Sequence, residues 1–574
     1  MNDTPTDRTL RLGIDVGGTN TDAVVLDADD EPLAKTKTPT TEDITTGILN
    51  ALDDVLEASG TTPGEISYVM LGTTHATNAI AERRGLNEVG VLRIGAPATE
   101  SIRPLLEWPD DLAAAIGDNW AILDGGHEFD GRELNALDEA QVREHVREFL
   151  EAGVDAFAVT SVFSPVREDH EERVAEIVRE EARAAGLGDA DGDPLPISLS
   201  NEIGSVGLLE RENATTMNAA LTSVAAEAAT AFVEAMDERG VEAALYFGQN
   251  DGTLMSVDYA LEYPIFTVAS GPSNSVRGAA YLSDVENGIV VDVGGTTTDV
   301  GAVTDGFPRE SSVAVEIGEV KTNFRMPDLI SIAVGGGSIV RPAGADGGEG
   351  VEAAGEDGGA ARAAVDDATD DADAAEAADV ADELAVPAVA VGPESVGYRL
   401  TEEARCFGGE TTTATDVEVA AGAVDVGPVV PEIDDATIAG ARATIRERVE
   451  RAVDRMKTSA ADVPVVVVGG GSILVPEDLA GASEVYTPDH YEVANAVGVA
   501  IAQVSGEVDR IYSLDEQSRD EAMADARRQA TENAVAAGAD PDTVEVVDVE
   551  EVPLSYLPGN AVRIKLKTAG ELER

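Results

Sequence analysis

Asp15-Val16-Gly17-Gly18-Thr19-Asn20-Thr21-Asp22 returns far along the chain as Asp292-Val293-Gly294-Gly295-Thr296-Thr297-Thr298-Asp299. An apolar run leads into each copy, Leu10–Ile14 in one and Gly288–Val291 in the other. Another follows each, Ala23–Leu26 and Val300–Val303. Strand, Gly-Gly turn, strand predicts a hairpin with an acid at the end of its first strand. Glycines let the backbone approach a phosphate closely and aim N–H groups at it. Thr hydroxyls add donors, and a carboxylate at that place holds Mg²⁺ directly or through water. Asp-Gly-Gly by itself is ordinary turn chemistry, but that reading leaves the matching Thr and the second Asp unexplained. Two copies predict a duplicated domain with a nucleotide clamped between its halves.

The 574 residues carry 39 basic and 110 acidic side chains, a formal charge of −71. Such a surface repels phosphate backbones and anionic lipid, so neither nucleic acid nor membrane is an expected partner. Acidity of this degree is one signature of disorder, but 43% of the residues are hydrophobic and the apolar periodicity is strong. A folded chain with this self-repulsion points to high-salt solvent, where the Debye length falls to about 3 Å at 1 M. The expected setting is a halophile-like cytoplasm. Cys406 is the single cysteine, so no intramolecular disulfide forms. The polar start Met1–Arg8 does not read as a signal peptide, and no apolar run reaches the length of a membrane span.

Along the chain, strands and helices alternate. Helices are predicted over Ile44–Ala58, Ala76–Arg84, Asp138–Ala152 and His170–Ala185, and strands over Ser67–Gly72, Val89–Ile94 and Ala156–Thr160. Arg211–Arg239 reads as one long Ala-rich helix. Later come a helix over Asp434–Thr458, a branched apolar strand Pro464–Val468, the turn Gly469-Gly470-Gly471-Ser472 and a helix over Asn495–Val504. The expected division is an N-terminal half over 9–195, a second half over 196–505 and a small separate α/β unit over 506–574. Residues 342–386 are almost entirely Ala, Asp, Glu and Gly and read as a disordered acidic insertion in the second half.

This layout resembles the actin/hexokinase/Hsp70 ATPase superfamily: an α/β fold of duplicated actin-like (ribonuclease H-like) halves with a nucleotide cleft between them. The resemblance implies ATP and Mg²⁺, with Gly17, Gly18, Thr19, Asn20, Asp22, Gly294, Gly295, Thr296 and Thr297 on the phosphates. It places Gly469, Gly470, Gly471 and Ser472 at the adenosine. Asp15 and Asp292 are the candidate Mg²⁺ and water contacts, and Asp299, with Asp22, positions a hairpin or a more distant water.

Further segments narrow the likeness. Leu71–Ala79 (Leu-Gly-Thr-Thr-His-Ala-Thr-Asn-Ala), Gly125-Gly126-His127, Ser200–Gly204, Ser270-Gly271-Pro272, Asp328 with Gly335–Ser338, and Thr413–Asp416 together resemble the hydantoinase A/oxoprolinase family over most of residues 9–505. That family implies ATP-dependent opening of a cyclic amide, a hydantoin or an oxoproline, commonly beside a hydantoinase B-type subunit. It also includes the ATP-using subunits of acetone and acetophenone carboxylases. Around Cys406 the family's prolines are missing, and Ala333-Val334 replaces a Gly-Ala pair, so substrate identity transfers poorly.

Weaker candidates surround the hairpins. Thr73, Thr74 and His75 open a helix, where they either cap it or meet a substrate, and Asn78 follows one turn on. Arg211 reads equally as an anion contact or a surface salt bridge, and Asp328, Gly336 and Gly337 are substrate candidates by resemblance. His127 reads as a turn residue rather than a ligand, and Cys406 as a packed small residue rather than a nucleophile. None of the five histidines makes a His-x-x-x-His spacing, so no zinc site is expected. A small-molecule kinase, a carboxylase ATP subunit and a non-metabolic activating ATPase remain alternatives to ring opening. An iron–sulfur activator is disfavoured, because one cysteine per chain cannot supply four ligands in a dimer.

Overall fold

Leu12, Ile14 and Val16 are buried on one face and Gly13 and Asp15 on the other, so the strand bearing Asp15 is covered on both faces, as a central strand is. In the computed structural model this strand, β1 (Leu10–Val16), forms a hairpin with β2 (Asn20–Leu26), which pairs in turn with β3 (Pro32–Pro39). On its other side β1 runs parallel to β4 (Ile66–Thr73). The structure describes residues 10–41, 43–187, 195–204, 206–311, 315–324, 326–342, 362–363, 389–515, 517–554 and 560–572. The stretch 342–386 read as an insertion lies outside these apart from Pro342 and Arg362–Ala363, the latter pairing with the strand Val315–Ile317.

A second, smaller sheet interrupts the first half. β5 (Val89–Ala96), β6 (Asn119–Asp124), β7 (Ala156–Ser161) and β8 (Ile197–Leu199) are all parallel, in the order β6-β5-β7-β8. The chain then returns to the first sheet through β9 (Ala244–Gly248) and β10 (Leu254–Ser256). The N-terminal half therefore does not end at 195. Its sheet is completed by residues past 240, and its apolar core draws on residues from Leu10 to Ala260 and again from Val499 to Leu572.

The second half repeats the first. β11 (Gly288–Val293) forms a hairpin with β12 (Thr298–Thr304) and runs parallel to the strand Val463–Val468. Register repeats with it: Asp15 lies opposite Asp22, and Asp292 opposite Asp299. The expected duplicated α/β architecture is what the chain adopts.

Three further expectations need correction. The C-terminal residues are not a separate unit. The strand Val504–Ser513 runs parallel to β10, and with Ala561–Gly570 and Glu545–Pro553 it extends the first sheet to nine strands. Val504 thus begins a strand, and the helix before it ends at Ala500. Arg211–Arg239 is two helices, Leu208–Ala220 and Thr222–Arg239, bent by 45° about Leu221. Ala-rich composition gave no sign of that break. Among the described residues no single helix is long and apolar enough to cross a membrane.

Helices Ser270–Ser283 and Ala494–Ala500 lie between the two sheets and cross in close contact. A Cβ at Gly278 would fall 1.8 Å from the Ala494 carbonyl oxygen, and one at Gly498 1.8 Å from that of Asn274. The crossing is thus closed to any side chain. Val493, Ala496, Val497 and Ala500 also pack on Val24 and Leu26 of the first hairpin.

Candidate functional site

The two hairpin tips face each other. A Cβ at Gly295 would lie 3.4 Å from Thr19 Cγ2, ordinary contact distance, whereas nothing stands within 4 Å of one at Gly18. In each turn the first glycine closes the loop: Gly17 N–H donates to the Asn20 carbonyl at 3.0 Å and Gly294 N–H to that of Thr297 at 2.9 Å. Among the described residues the N–H groups of Gly18, Thr19, Gly295 and Thr296 carry no hydrogen bond, so the tips keep donors to offer.

Behind the first tip is a buried carboxylate pair. Asp15 is 3% exposed and is pushed up to about 6, first by burial and then by Asp22, against hydrogen bonds from Asn274 and Asn495. Asn274 Nδ2 donates to Asp15 Oδ1 at 3.3 Å. Asn495 Nδ2 donates to Asp15 Oδ2 and to Asp22 Oδ2, both at 2.9 Å. Lys37 Nζ on β3 donates to both Asp22 oxygens at 2.7 Å. Burial still raises Asp22 on balance, with Lys37 opposing it. Asn274 and Asn495 come from the two crossing helices and Lys37 from an edge strand; sequence reasoning named none of them.

The second hairpin mirrors this with fewer partners. Burial raises Asp292, against a hydrogen bond from Ser275 and the charge of Lys37. Asp299 is pushed up to about 7 by burial and by Asp292. Each leading acid has a glycine beside it in place of a side chain. A Cβ at Gly72 would stand 2.1 Å from Asp15 Oδ1, and one at Gly469 2.2 Å from Asp292 Oδ1. Gly469 also has φ +85°, a conformation glycine takes freely.

Gly469–Ser472 wraps the end of β11. Gly471 N–H donates to the Val293 carbonyl at 2.8 Å, and Gly470 is exposed, its Cβ position 3.6 Å from Lys37 Cε. Lys37 therefore touches elements of both halves. Gly336 and Gly337 also reach this hairpin, where their N–H groups hold the Gly294 and Gly295 carbonyls at 3.0 and 2.7 Å. Thr415 Oγ1 donates to the Gly336 carbonyl, and Thr413 with Asp416 forms a capping box, so Gly335–Ser338 and Thr413–Asp416 brace one loop.

Thr74 packs its N–H and hydroxyl on the Val16 carbonyl at the end of β1, which brings Thr73, Thr74 and His75 beside the first hairpin. His75 Nδ1 lies 2.6 Å from Thr73 Oγ1, and burial lowers its proton affinity. Asn78 is exposed and donates to Thr74.

Two candidates lie elsewhere. Arg211 is buried, so the surface-salt-bridge reading fails. It donates to Ser200 Oγ and the Ser161 carbonyl, and its charge faces Glu171. Asp328 pairs with Arg309 at 2.6 Å in the second half, away from the hairpin tips. Cys406 is fully buried and its thiol is pushed up to about 12, chiefly by burial, which suits packing and not nucleophilic attack.

Residues 11–182 match the hydantoinase/oxoprolinase N-terminal region and residues 211–430 the hydantoinase/oxoprolinase domain, together well over half of the chain. The chain belongs to the hydantoinase/oxoprolinase family. It is 28% identical over 359 residues to the acetophenone carboxylase gamma subunit of Aromatoleum aromaticum, covering 58% of this chain and 47% of that protein. It is 28% identical over 354 residues to the caprolactamase subunit alpha of Pseudomonas jessenii, covering 57% and 48%. The chain thus spans about half the length of the curated relatives it matches. The solved ATP-dependent caprolactamase from Pseudomonas jessenii shares the fold, with TM-score 0.69 at 19% identity over 98% of this chain and 88% of that one. Nucleotide-free acetone carboxylase does so with TM-score 0.66 at 17% identity, over 99% and 88%.

Proposed function

We propose that this hydantoinase-family chain is the ATP-using subunit of an enzyme that opens a cyclic amide by phosphorylating it. One observation carries the reading: two donor-rich hairpin tips face each other, each backed by an acid, Asp15 fully buried and Asp292 partly buried. Amide ring opening in an unstrained ring needs activation. Transfer of the γ-phosphoryl group to the amide oxygen makes the ring carbon electrophilic. Water adds there, the ring nitrogen leaves, and a second water releases phosphate from the acyl phosphate. The free N–H groups of Gly18, Thr19, Gly295 and Thr296 stabilise charge on the phosphoryl oxygens.

Asp15 and Asp292 suit Mg²⁺ by their chemistry. They are hard oxygen donors raised by burial, with further acids beside them, a state that a cation relieves. Bound there, Mg²⁺ neutralises charge on the phosphate oxygens. Lys37 adds a fixed positive charge between the hairpins and Gly470.

The relatives support the reading through their names, a caprolactamase and an ATP-dependent one. Both curated relatives are named as subunits, which supports a partner chain, for which a hydantoinase B-type subunit is our choice. The equal identity to a carboxylase subunit favours one other reading, ATP-driven activation for carboxylation. Both are tested by ADP release in about 3 M KCl, chosen for charge screening, with hydantoin, 5-oxoproline, caprolactam and bicarbonate plus a ketone, with and without a co-encoded partner. Stimulation by a cyclic amide with ring-opened product is expected. Stimulation by bicarbonate and ketone alone would replace the amide reading, and no stimulation by any would overturn both.

A further inference from the structure

We propose that His127, Asp169 and His170 bind one divalent transition-metal ion, with Glu133 at the edge of the site. No sequence spacing announces it; the fold assembles it. β6 runs into Gly125 and Gly126, at φ 139° and 90°. A Cβ at Gly125 would sit 2.5 Å from Ile94 Cγ2, so glycine alone lets the loop cross the end of β5. That path lays His127 against the start of the helix Asp169–Ala185, its ring centroid 4.3 Å from that of His170.

His127 is fully buried, yet among the described residues neither of its ring nitrogens has a hydrogen-bond partner, and neither has Asp169 Oδ1. Leaving such groups unpaired costs about 1–3 kcal/mol each, which a ligand at this point removes. One ligand atom from each of His127, Asp169 and His170 lies within 4.8 Å of the others, His127 Nε2 and Asp169 Oδ1 being 3.3 Å apart. An ion at about 2.0–2.2 Å from each would hold them roughly 3–4 Å apart, so the most widely separated pair closes by at most about 1–2 Å. Two imidazoles and a carboxylate select Zn²⁺, Co²⁺, Ni²⁺ or Mn²⁺ over Mg²⁺ and Ca²⁺.

The surroundings fit. Arg167 Nη2 holds Asp169 Oδ2 at 2.9 Å, which orients the carboxylate. His170 Nδ1 accepts from Gly126 N–H at 3.0 Å, while Nε2 lies 3.6 Å from Glu133 Oε1. Coordination through Nε2 would put the ring proton on Nδ1 and exchange the bond from Gly126 N–H for the metal bond. The ion would pin the first turn of a helix whose Glu171 is buried against Ser161 N–H and Ser200 Oγ. Glu168 and Glu172, flanking that residue, line a cavity of about 670 Å³ between the inserted sheet and the C-terminal strands, so the site steadies one wall of it.

The test uses the full chain, stripped with chelator in about 3 M KCl so that its surface acids are screened, and titrated with Co²⁺ alone. Equilibrium dialysis and the visible d–d spectrum are read for wild type, His127→Gln and Asp169→Asn. One Co²⁺ per chain with a nitrogen-ligand spectrum is expected, lost in His127→Gln and at least tenfold weaker in Asp169→Asn. Asp169 is half-exposed, so its variant keeps the fold and supplies the comparison if His127→Gln does not. No Co²⁺ bound by wild type, or equal binding by wild type and Asp169→Asn, would overturn the site.

Discussion

Replacing Asp15 by Asn should make the protein more stable and much less active, and the structure gives a size for the first effect. Asp15 ionises at about 6 in the fold, against an ordinary 3.8. Each tenfold in proton affinity is about 1.4 kcal/mol, so at pH 8 the ionised carboxylate costs the folded state on the order of 3 kcal/mol. Asn removes that charge. It also finds its hydrogen bonds: Asn495 still donates to the remaining oxygen, and Asn274 Oδ1, which has no partner among the described residues, can turn to accept from the new amide. A net gain of about 2–3 kcal/mol at pH 8 is expected. The sign with pH follows. The raised carboxyl binds its proton more tightly folded than unfolded, so wild type gains stability as pH falls through about 6 toward 4. The variant lacks that gain, and the difference vanishes near pH 4. Urea midpoints of both proteins at pH 8 and pH 5 in concentrated KCl measure it, beside ATP turnover, which should drop by roughly 10²-fold or more. A variant less stable than wild type at pH 8, or a difference that does not change with pH, would refute the electrostatic reasoning. Unchanged turnover would refute the role of Asp15.

Two further outcomes follow from the same charges. Lys37→Met leaves Asp22, 3% exposed, without its cation; Lys37 is itself 32% exposed, so the loss should be about 2 kcal/mol rather than the roughly 3–5 of a fully buried pair. Adding Asp22→Asn should restore most of it, and an unchanged denaturation midpoint in the single variant would remove Lys37 from the site. A net charge of −71 with 39 cations against 110 acids predicts a melting temperature that climbs steeply with KCl, since the Debye length shrinks from about 30 Å at 0.01 M to about 3 Å at 1 M. Equal melting in about 0.02 M and about 3 M salt would require a cationic partner to explain the acidity.

What could be read from the sequence was whatever repeats or alternates. The hairpins were legible because glycine, threonine and aspartate recur in one order, and the helices Ile44–Ser59, Glu139–Ala152 and Asp435–Met456 because apolar residues recur at helical spacing. Lys37 was not. Its strand is a mixed Pro-Leu-Ala-Lys-Thr-Lys-Thr-Pro with alternating half-burial and no apolar face, so nothing marked it as a strand. Asn274 and Asn495 carry no pattern at all; only the crossing of two helices brings their amides to Asp15. The domain boundaries failed for a related reason. The first sheet takes strands from residues 10–73, 244–256 and 504–570, and a linear division cannot express that. His127 looked like a turn residue because its partners Asp169 and His170 lie on another element.

The asymmetry between the two hairpins bears on how the halves would move. The first acid is held by amides from both crossing helices, one of which precedes β11 and the other of which follows the strand Val463–Val468. The crossing has no room for side chains at Gly278 and Gly498, so the two backbones lie in direct contact there. A Cβ at Gly295 would already touch Thr19, so glycine there keeps the space between the tips open. The two amides lower the proton affinity of Asp15, against burial and the Asp22 charge, which raise it. A shift of either helix against β1 would therefore change the ionisation of the first acid, which ties the charge behind the first hairpin to the helix crossing.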